Sequence, residues 1–313
     1  MTTDFLAPVR CPLCGGALTA VPEGGCLRCA SGHSYDLARA GYVNLLPPGK
    51  KNNAKTGDEK EMIRARSEFL RRGFYDPIDE ALASALAEHA AAEAEPNEKP
   101  FRLADLGAGE GYHTCRTAAI LADRLGRPVD ALGFDASKAG AEAGCRLAKS
   151  LGFLRQDGLS AAPEQWTSPV RAAVLPGNIF RLPLADRRMD ASMSLFAPVP
   201  WEEAARILVP GGILAVVSAG REHLGEMRAI LYDEVRRTDF HPAPPDGFDK
   251  LTLLSRRTVS FPVTLSSQEE IAALFVMTPF YHRTGDAGRE RLRALDSLSV
   301  TAEIELSLWE AAV

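Results

Sequence analysis

The stretch FRLADLGAGEGYHT, residues 101–114, decides how the rest of the chain is read. An apolar run ends in an acidic residue and a glycine-rich turn, as when a buried strand hands over to a helix. Gly107 and Gly109 permit a tight turn and a close approach of backbone to a ligand. A second strand-like run, VDALGFD (129–135), ends in Asp135, 24 residues past Gly111. A carboxylate there can accept hydrogen bonds from both ribose hydroxyls of an adenosine.

Further runs follow at VRAAVLPG (170–177), MDASMSLFAP (189–198) and GGILAVVSAG (211–220), with helical patterns between most of them. Alternating strands and helices predict a parallel sheet covered on both faces. Near the end, TVSFPVTLSS (258–267) and SVTAEIELSLWEA (299–311) alternate in period two and predict an antiparallel edge pair. The glycine turn alone would also suit a dinucleotide. Three features favour S-adenosylmethionine (SAM). Asp105 precedes the glycines, where it can meet the methionine amino group; the third glycine is misplaced for a dinucleotide fingerprint; and RLPLADRRMDA (181–191) leads into the fourth strand. That order resembles the α/β, class I (Rossmann-like) SAM-dependent methyltransferase fold.

Upstream the texture differs. CPLCGGALTAVPEGGCLRCASGH (11–33) holds four of the six cysteines. Two tetrahedral zinc sets are open: Cys11, Cys14, Cys26 and Cys29, or Cys11, Cys14, Cys29 and His33. A redox dithiol would follow a strand and open a helix, whereas this pair sits among turn residues. Zinc would stabilise a module too small for a core of its own. Tyr35, Leu37, Tyr42, Val43, Leu45 and Leu46 are apolar enough to dock it onto the rest. KKNNAKTGDEKE (50–61) reads as a linker, and EMIRARSEFLRR (61–72) as an amphipathic helix with Met62, Ile63, Phe69 and Leu70 inward and Arg64, Arg66, Arg71 and Arg72 basic. A second helix is expected over 77–94, fading into the linker EAEPNEKP. The expected organisation is 1–48 a zinc-ribbon module, 49–100 linker and helical segment, and 101–313 the SAM-dependent methyltransferase domain.

Of 313 residues, 46% are hydrophobic and 25% charged, which suits a soluble globular protein. No apolar run is long enough for a membrane span, and no leader pattern is seen, so a cytoplasmic location is expected. The net charge of −5 is uneven: residues 10–72 carry 11 Lys/Arg against 6 Asp/Glu, leaving −10 elsewhere. A basic region on an acidic protein suits one local polyanion. Arg28, Arg39, Lys50, Lys51 and Lys55 are candidate phosphate contacts.

The ordered set GHSYDLARAGYVNLL, EFLRRGFYDPI, DLGAGEGYHT, GFDASK, RLPL, FAP, VPGG, REHL and MTPF resembles the RlmA/RrmA type of 23S ribosomal RNA (guanine-N1)-methyltransferase, a family that includes tylosin-resistance enzymes. The resemblance spans nearly the whole chain. It implies zinc on Cys11, Cys14, Cys29 and His33, with Cys26 an extra thiol. It implies cofactor contacts from Tyr75, Gly109, Glu110 and His223, beside Asp105, Gly107 and Asp135; Asn178 stands near the usual adenine contact. It further implies a 23S rRNA hairpin as partner and a homodimer. Phe196, Pro198, Tyr112, Phe280 and Tyr281 are candidates for holding the target base. No general base is assigned. Residues 152–168 look like an insertion. Two other readings are a methyltransferase for a small molecule and a catalytically idle RNA-binding protein; the intact glycine turn and Asp135 oppose the idle one.

Overall fold

A computed structural model describes residues 4–21, 25–47, 60–92, 99–160, 168–234 and 241–312. Lys50, Lys51, Lys55 and most of both expected linkers lie outside them. The N-terminal segment forms a small antiparallel sheet of β1 (Thr19–Ala20), β2 (Cys26–Arg28) and β3 (Ser34–Asp36). Helices α1 (Lys60–Arg71) and α2 (Asp76–Ala92) follow, each within two residues of expectation. On α1, Ile63, Phe69 and Leu70 are buried as the periodicity requires.

The main sheet then alternates with helices: β4 (Phe101–Leu106), α3 (Tyr112–Leu125), β5 (Val129–Asp135), α4 (Lys138–Ser150), β6 (Val170–Pro176), β7 (Met189–Leu195), α5 (Trp201–Ile207), β8 (Leu208–Ala219), α6 (Gly225–Leu231), β9 (Leu251–Leu265), α7 (Gln268–Val276), α8 (Phe280–Arg283), α9 (Asp286–Arg293) and β10 (Leu298–Ala311). Its seven strands run in the order β6-β5-β4-β7-β8-β10-β9. Strands β6 to β8 in that order pair in parallel, while β10 is antiparallel to both β8 and β9. Nearly every residue of β4 to β7 is buried. Alternate side chains point to opposite faces, so the sheet is covered on both. This is the doubly wound class I methyltransferase arrangement, with an N-terminal ribbon added.

The two C-terminal strands form the expected antiparallel pair at one edge of the sheet, with β10 between β8 and the outermost strand β9. The burial pattern shows why. Ala302, Ile304, Leu306 and Trp309 of β10 are buried, whereas residues 252–258 of β9 are exposed in succession. The inner place goes to the strand that can fill it.

The ribbon is docked. Val9 bridges Leu184, the Arg10 amide donates to the Pro183 carbonyl at 2.8 Å, and the Leu45 amide to the Pro176 carbonyl at 2.9 Å. Val43 and Leu45 are fully buried, and Tyr42 packs against Ala108, Ala141 and Val174. These are the apolar residues expected to anchor it. Gly41 (φ 106°) and Gly158 (φ 69°) meet closely enough that a Cβ on Gly158 would lie 2.8 Å from the Gly41 Cα. The start of the 152–168 segment thereby packs on the ribbon's tail.

Candidate functional site

The order of strands reverses about β4, so the crevice for a ligand opens at the carboxyl ends beside it. The sequence places its glycine turn there. Gly107 has φ 97°, and a Cβ on it would lie 2.6 Å from the Ala197 Cβ of the FAP segment. Only glycine both accepts that backbone and leaves room for Ala197. The amides of Gly107 and Ala108 donate to the Phe134 carbonyl at 2.9 and 3.1 Å, lashing the turn to β5.

Asp135 ends β5, and its carboxylate accepts from the Gly109 amide at 3.0 Å and the Ser137 amide at 2.7 Å. It therefore shapes the turn from the end of β5. Asp105 is 2% exposed and accepts from the Thr114 hydroxyl at 2.5 Å. Burial pushes its carboxyl up to about 7, with Asp135 and Asp79 adding to the rise while Thr114 and His113 oppose it. Glu110 is 4% exposed, with Arg66 of α1 at 3.5 Å. Arg66 also lies over Gly109, whose Cβ would be 3.2 Å from the guanidinium. α1 thus closes over the turn, a placement the sequence did not reveal. The basic face of that helix is largely used within the molecule: Arg64 pairs with Glu68, and Arg72 with Glu269 and Glu270 of α7.

Behind the turn, Asp79 of α2 is fully buried and accepts from the His113 ring at 2.9 Å and the Thr117 hydroxyl at 3.1 Å. Tyr112, a candidate for the base, instead donates to Asp76 at 2.7 Å. Phe280 and Tyr281 lie on α8, packed against Tyr232 and Phe275. Asn178 is exposed, and its side-chain oxygen caps the Phe180 amide at 3.0 Å. That leaves the amide NH2 to face a ligand, rather than a wholly available acceptor for an adenine amino group.

Tyr75, Phe196 and His223 come together from three distant parts of the chain. Their ring centroids are 6.4 Å (Tyr75–Phe196), 6.3 Å (Tyr75–His223) and 5.8 Å (Phe196–His223) apart. Phe196 follows β7 with φ 52° and is 45% exposed; Leu224, next to His223 after β8, also has φ 52° but is fully buried. Non-glycine residues in that region are strained, and such strain gathers at functional sites. The His223 ring donates Nδ1–H to the Glu303 carbonyl at 2.8 Å. Desolvation holds its pKa down to about 4, so the ring is neutral.

In the ribbon, the ligand atoms of Cys11, Cys14, Cys29 and His33 all lie within 4.8 Å of one another. Cys14 and Cys29 sulfurs are 3.6 Å apart, and His33 Nδ1 is 3.5 Å from Cys11 and 3.4 Å from Cys29. Tetrahedral zinc with bonds of about 2.0–2.3 Å requires edges of roughly 3.5–3.8 Å, so this donor set fits the ion. Cys26 is outside the group, in β2 opposite Asp36. The Gly16 amide and Ser31 hydroxyl hold the Cys14 thiol down to about 7, towards the thiolate a metal needs. The Tyr35 hydroxyl lies 3.0 Å from the Cys11 sulfur, a support outside the ligand shell.

A family model described as "RlmA, N-terminal" matches residues 9–54. A protein of Micromonospora griseorubida, provisionally named 23S rRNA (guanine-N1)-methyltransferase, is 37% identical over 237 residues, 72% of this chain and 70% of that one. The chain belongs to the 23S rRNA (guanine-N1)-methyltransferase family. The 23S rRNA (guanine(748)-N1)-methyltransferase of Streptomyces fradiae is 33% identical over 72% of this chain and 69% of its own length. A Bacillus subtilis protein with the provisional family name is 29% identical over 97% of both chains. Among solved structures, a geranyl diphosphate methyltransferase with SAM has 17% identity, a TM-score of 0.39, and coverage of 83% of this chain and 93% of its own. Members of this methyltransferase family use SAM, and the ribbon of this one has the chemistry of a zinc site.

In this methyltransferase, a buried acid with a raised pKa destabilises the cofactor-free fold as pH rises. The unfolded Asp105 ionises near pH 4 and the folded one near 7, so its contribution to stability is full below pH 4 and is lost between those values. Asp105→Asn keeps an oxygen for the Thr114 hydroxyl and removes the titration. Without SAM, the variant should therefore gain on the wild type as pH rises from 4 to 7, by about 3 kcal/mol, or roughly 5 °C in Tm. Thermal melts at several pH values check this; a constant difference would show that Asp105 ionises as freely in the fold as outside it.

Proposed function

We propose that this chain methylates N1 of a guanine in a hairpin loop of 23S rRNA, with SAM as donor. The observation that carries the reading is the meeting of the glycine turn, Asp135 and the Tyr75–Phe196–His223 cluster at the carboxyl edge of one sheet. One end suits an adenosine and the other a flat aromatic acceptor. Asp135 holds the ribose, and the turn backbone with Glu110 and Tyr75 surrounds the methionine part. His223 is a further candidate contact on the family pattern, and Asn178 borders the adenine.

The bound SAM supplies an activated methyl group. The protein's task is to align the acceptor nitrogen with it and to exclude water. Phe196 offers an exposed ring for a base turned out of its loop. Arg66 and Glu110 close the opposite side with α1. The ribbon of residues 1–48 presents exposed Arg28 and Arg39 for phosphates, residues 49–100 link it to the catalytic part, and 101–313 carry the chemistry. No helix among the described residues is long and apolar enough to cross a membrane. The cytoplasm, where ribosomes are made, is the expected location, and a homodimer the expected assembly.

Labelled SAM and unmodified 23S rRNA transcript, followed by mapping of reverse-transcription stops, test the reading. N1 methylation blocks Watson–Crick pairing, so one stop at a hairpin-loop guanosine is expected. Intact SAM binding with no stop would favour a small-molecule acceptor, and no SAM binding would favour the idle reading.

A further inference from the structure

Among the described residues the most exposed large apolar side chain is Phe180, 60% exposed. It belongs to a short 3-10 turn, Ile179–Arg181, just past the end of β6 at the carboxyl edge of the sheet. One exposed apolar residue is ordinary on a protein surface. This one differs in how it is held, where it stands and what charge lies beside it.

The turn is tied down on every side. Ile179 packs against the core, the Phe180 amide donates to the Asn178 side chain at 3.0 Å, and the Arg181 amide to the Asn178 carbonyl at 3.0 Å. The Leu182 amide donates to Glu203 at 2.5 Å, and Arg206 donates to the Leu182 carbonyl at 3.1 Å. The ribbon grips both ends of the same segment, through Leu45 at Pro176, Arg10 at Pro183, and the Ala185 amide on the Pro8 carbonyl. Phe180 therefore stands at the seam between the ribbon and the catalytic edge, its ring in solvent on a fixed backbone. Arg181 beside it is exposed and forms no ion pair among the described residues. The acids Asp186 and Glu203 are engaged with Arg206, at 2.6 and 2.7 Å.

We propose that this turn is a second nucleotide site for the RNA: a base flanking the target guanine stacks on Phe180, and Arg181 meets the phosphate beside it. The inference rests on the proposed methylation of an rRNA loop. In the sheet, Phe180 follows β6 and Phe196 follows β7, with β5 and β4 between them. Three strand spacings put those two strand ends about 14 Å apart. The glycine turn lies between, so the cofactor crevice is flanked by two exposed aromatic rings. A loop strand laid across it places the target on one ring and a neighbouring base on the other. Splayed loop bases stack on aromatic side chains whatever their sequence, and an adjacent guanidinium neutralises the backbone. An apolar protein partner would be served by the ring alone; the free cation beside it is what a phosphate uses.

The test uses the full chain, SAM and the hairpin RNA, with RNA affinity read by titration, SAM affinity by calorimetry and methyl transfer by rate. Phe180→Ala should raise the RNA Kd about tenfold, and leave SAM affinity, zinc content and kcat at saturating RNA unchanged. Phe180→Trp should keep full RNA affinity. Arg181→Ala should weaken RNA binding and reduce the slope of log Kd against log salt by about 0.7. Abasic sites placed in turn at the loop positions other than the target supply the pairing partner. At one of them the wild type should lose as much affinity as Phe180→Ala loses, and the Phe180→Ala protein should lose no more. Unchanged RNA affinity in Phe180→Ala would overturn the proposal. So would an equal fall in SAM affinity, which would make Phe180 a cover for the adenine. A change of oligomeric state with RNA affinity intact would also overturn it, and make the turn a contact between copies. Wild-type protein that binds SAM and neither binds nor methylates the hairpin would instead sink the rRNA reading itself.

Discussion

Cys11→Ser should cost this protein its zinc and weaken SAM binding about tenfold or more, although Cys11 belongs to the ribbon rather than to the glycine turn. Cys11 is 2% exposed, lies 3.5 Å from His33 Nδ1, and meets the Tyr35 hydroxyl at 3.0 Å. Structural zinc contributes on the order of 10 kcal/mol to folding of small modules, and a three-ligand site loses much of that. The loss travels because the ribbon is docked on the sheet's rim. Leu45 hydrogen-bonds Pro176 at the end of β6, and Tyr42 packs against Ala108 within the glycine turn itself. With the ribbon unfolded, Val43 and Leu45 leave a gap beside the end of β6. Elemental analysis should show zinc falling from one equivalent to near none, and calorimetry should show the weaker SAM binding. Undiminished SAM affinity in zinc-free protein would mean that the turn keeps its shape without Tyr42.

Gly107→Val should abolish measurable SAM binding, at least about 100-fold, with zinc content unchanged. Two independent penalties add. A residue with a Cβ at φ 97° is strained by roughly 1–2 kcal/mol, and the Cβ would lie 2.6 Å from that of Ala197. Either the turn lifts away from the Phe134 carbonyl, or the FAP segment moves and takes Phe196 with it. Adding Ala197→Gly relieves the clash and leaves the strain, so the double variant should recover part of the Tm and part of the affinity. Full recovery would make the contact the sole cause; no recovery would put the whole effect in the backbone.

The parts of this protein that were legible in its sequence are those whose cause is local. Strands β4 to β7 declared themselves as continuous apolar runs because a doubly covered parallel strand needs them. Asp105-Leu-Gly107-Ala-Gly109-Glu110-Gly111 marked the turn because its φ values, 97°, 53° and 74° at the glycines, demand glycine. The place of Asp135 at the end of β5 followed from the second apolar run. The cysteine spacing showed a metal module but left Cys26 and His33 as alternatives. The β2–β3 hairpin decides between them, since it holds Cys26 in strand register opposite Asp36 while His33 turns back onto Cys29.

Other features have long-range causes. Arg66 reads as one basic position on an amphipathic helix, and nothing nearby in sequence says that it reaches Glu110. Period-two alternation marks both C-terminal strands equally, and competition for the buried slot puts β10 inside and β9 at the edge. Tyr75 and His223 stand out in the sequence only through the family resemblance, and it is the sheet that brings them to Phe196. By itself, then, the sequence determined the strand set, the glycine turn, the acid that ends β5 and the presence of a metal module, because dihedral preference, burial periodicity and ligand spacing act over a few residues. Only the tertiary structure decided the choice among the zinc-ligand candidates, the closure of α1 over the turn and the meeting of Tyr75, Phe196 and His223, because each depends on side chains that meet across tens to hundreds of residues once the core is packed.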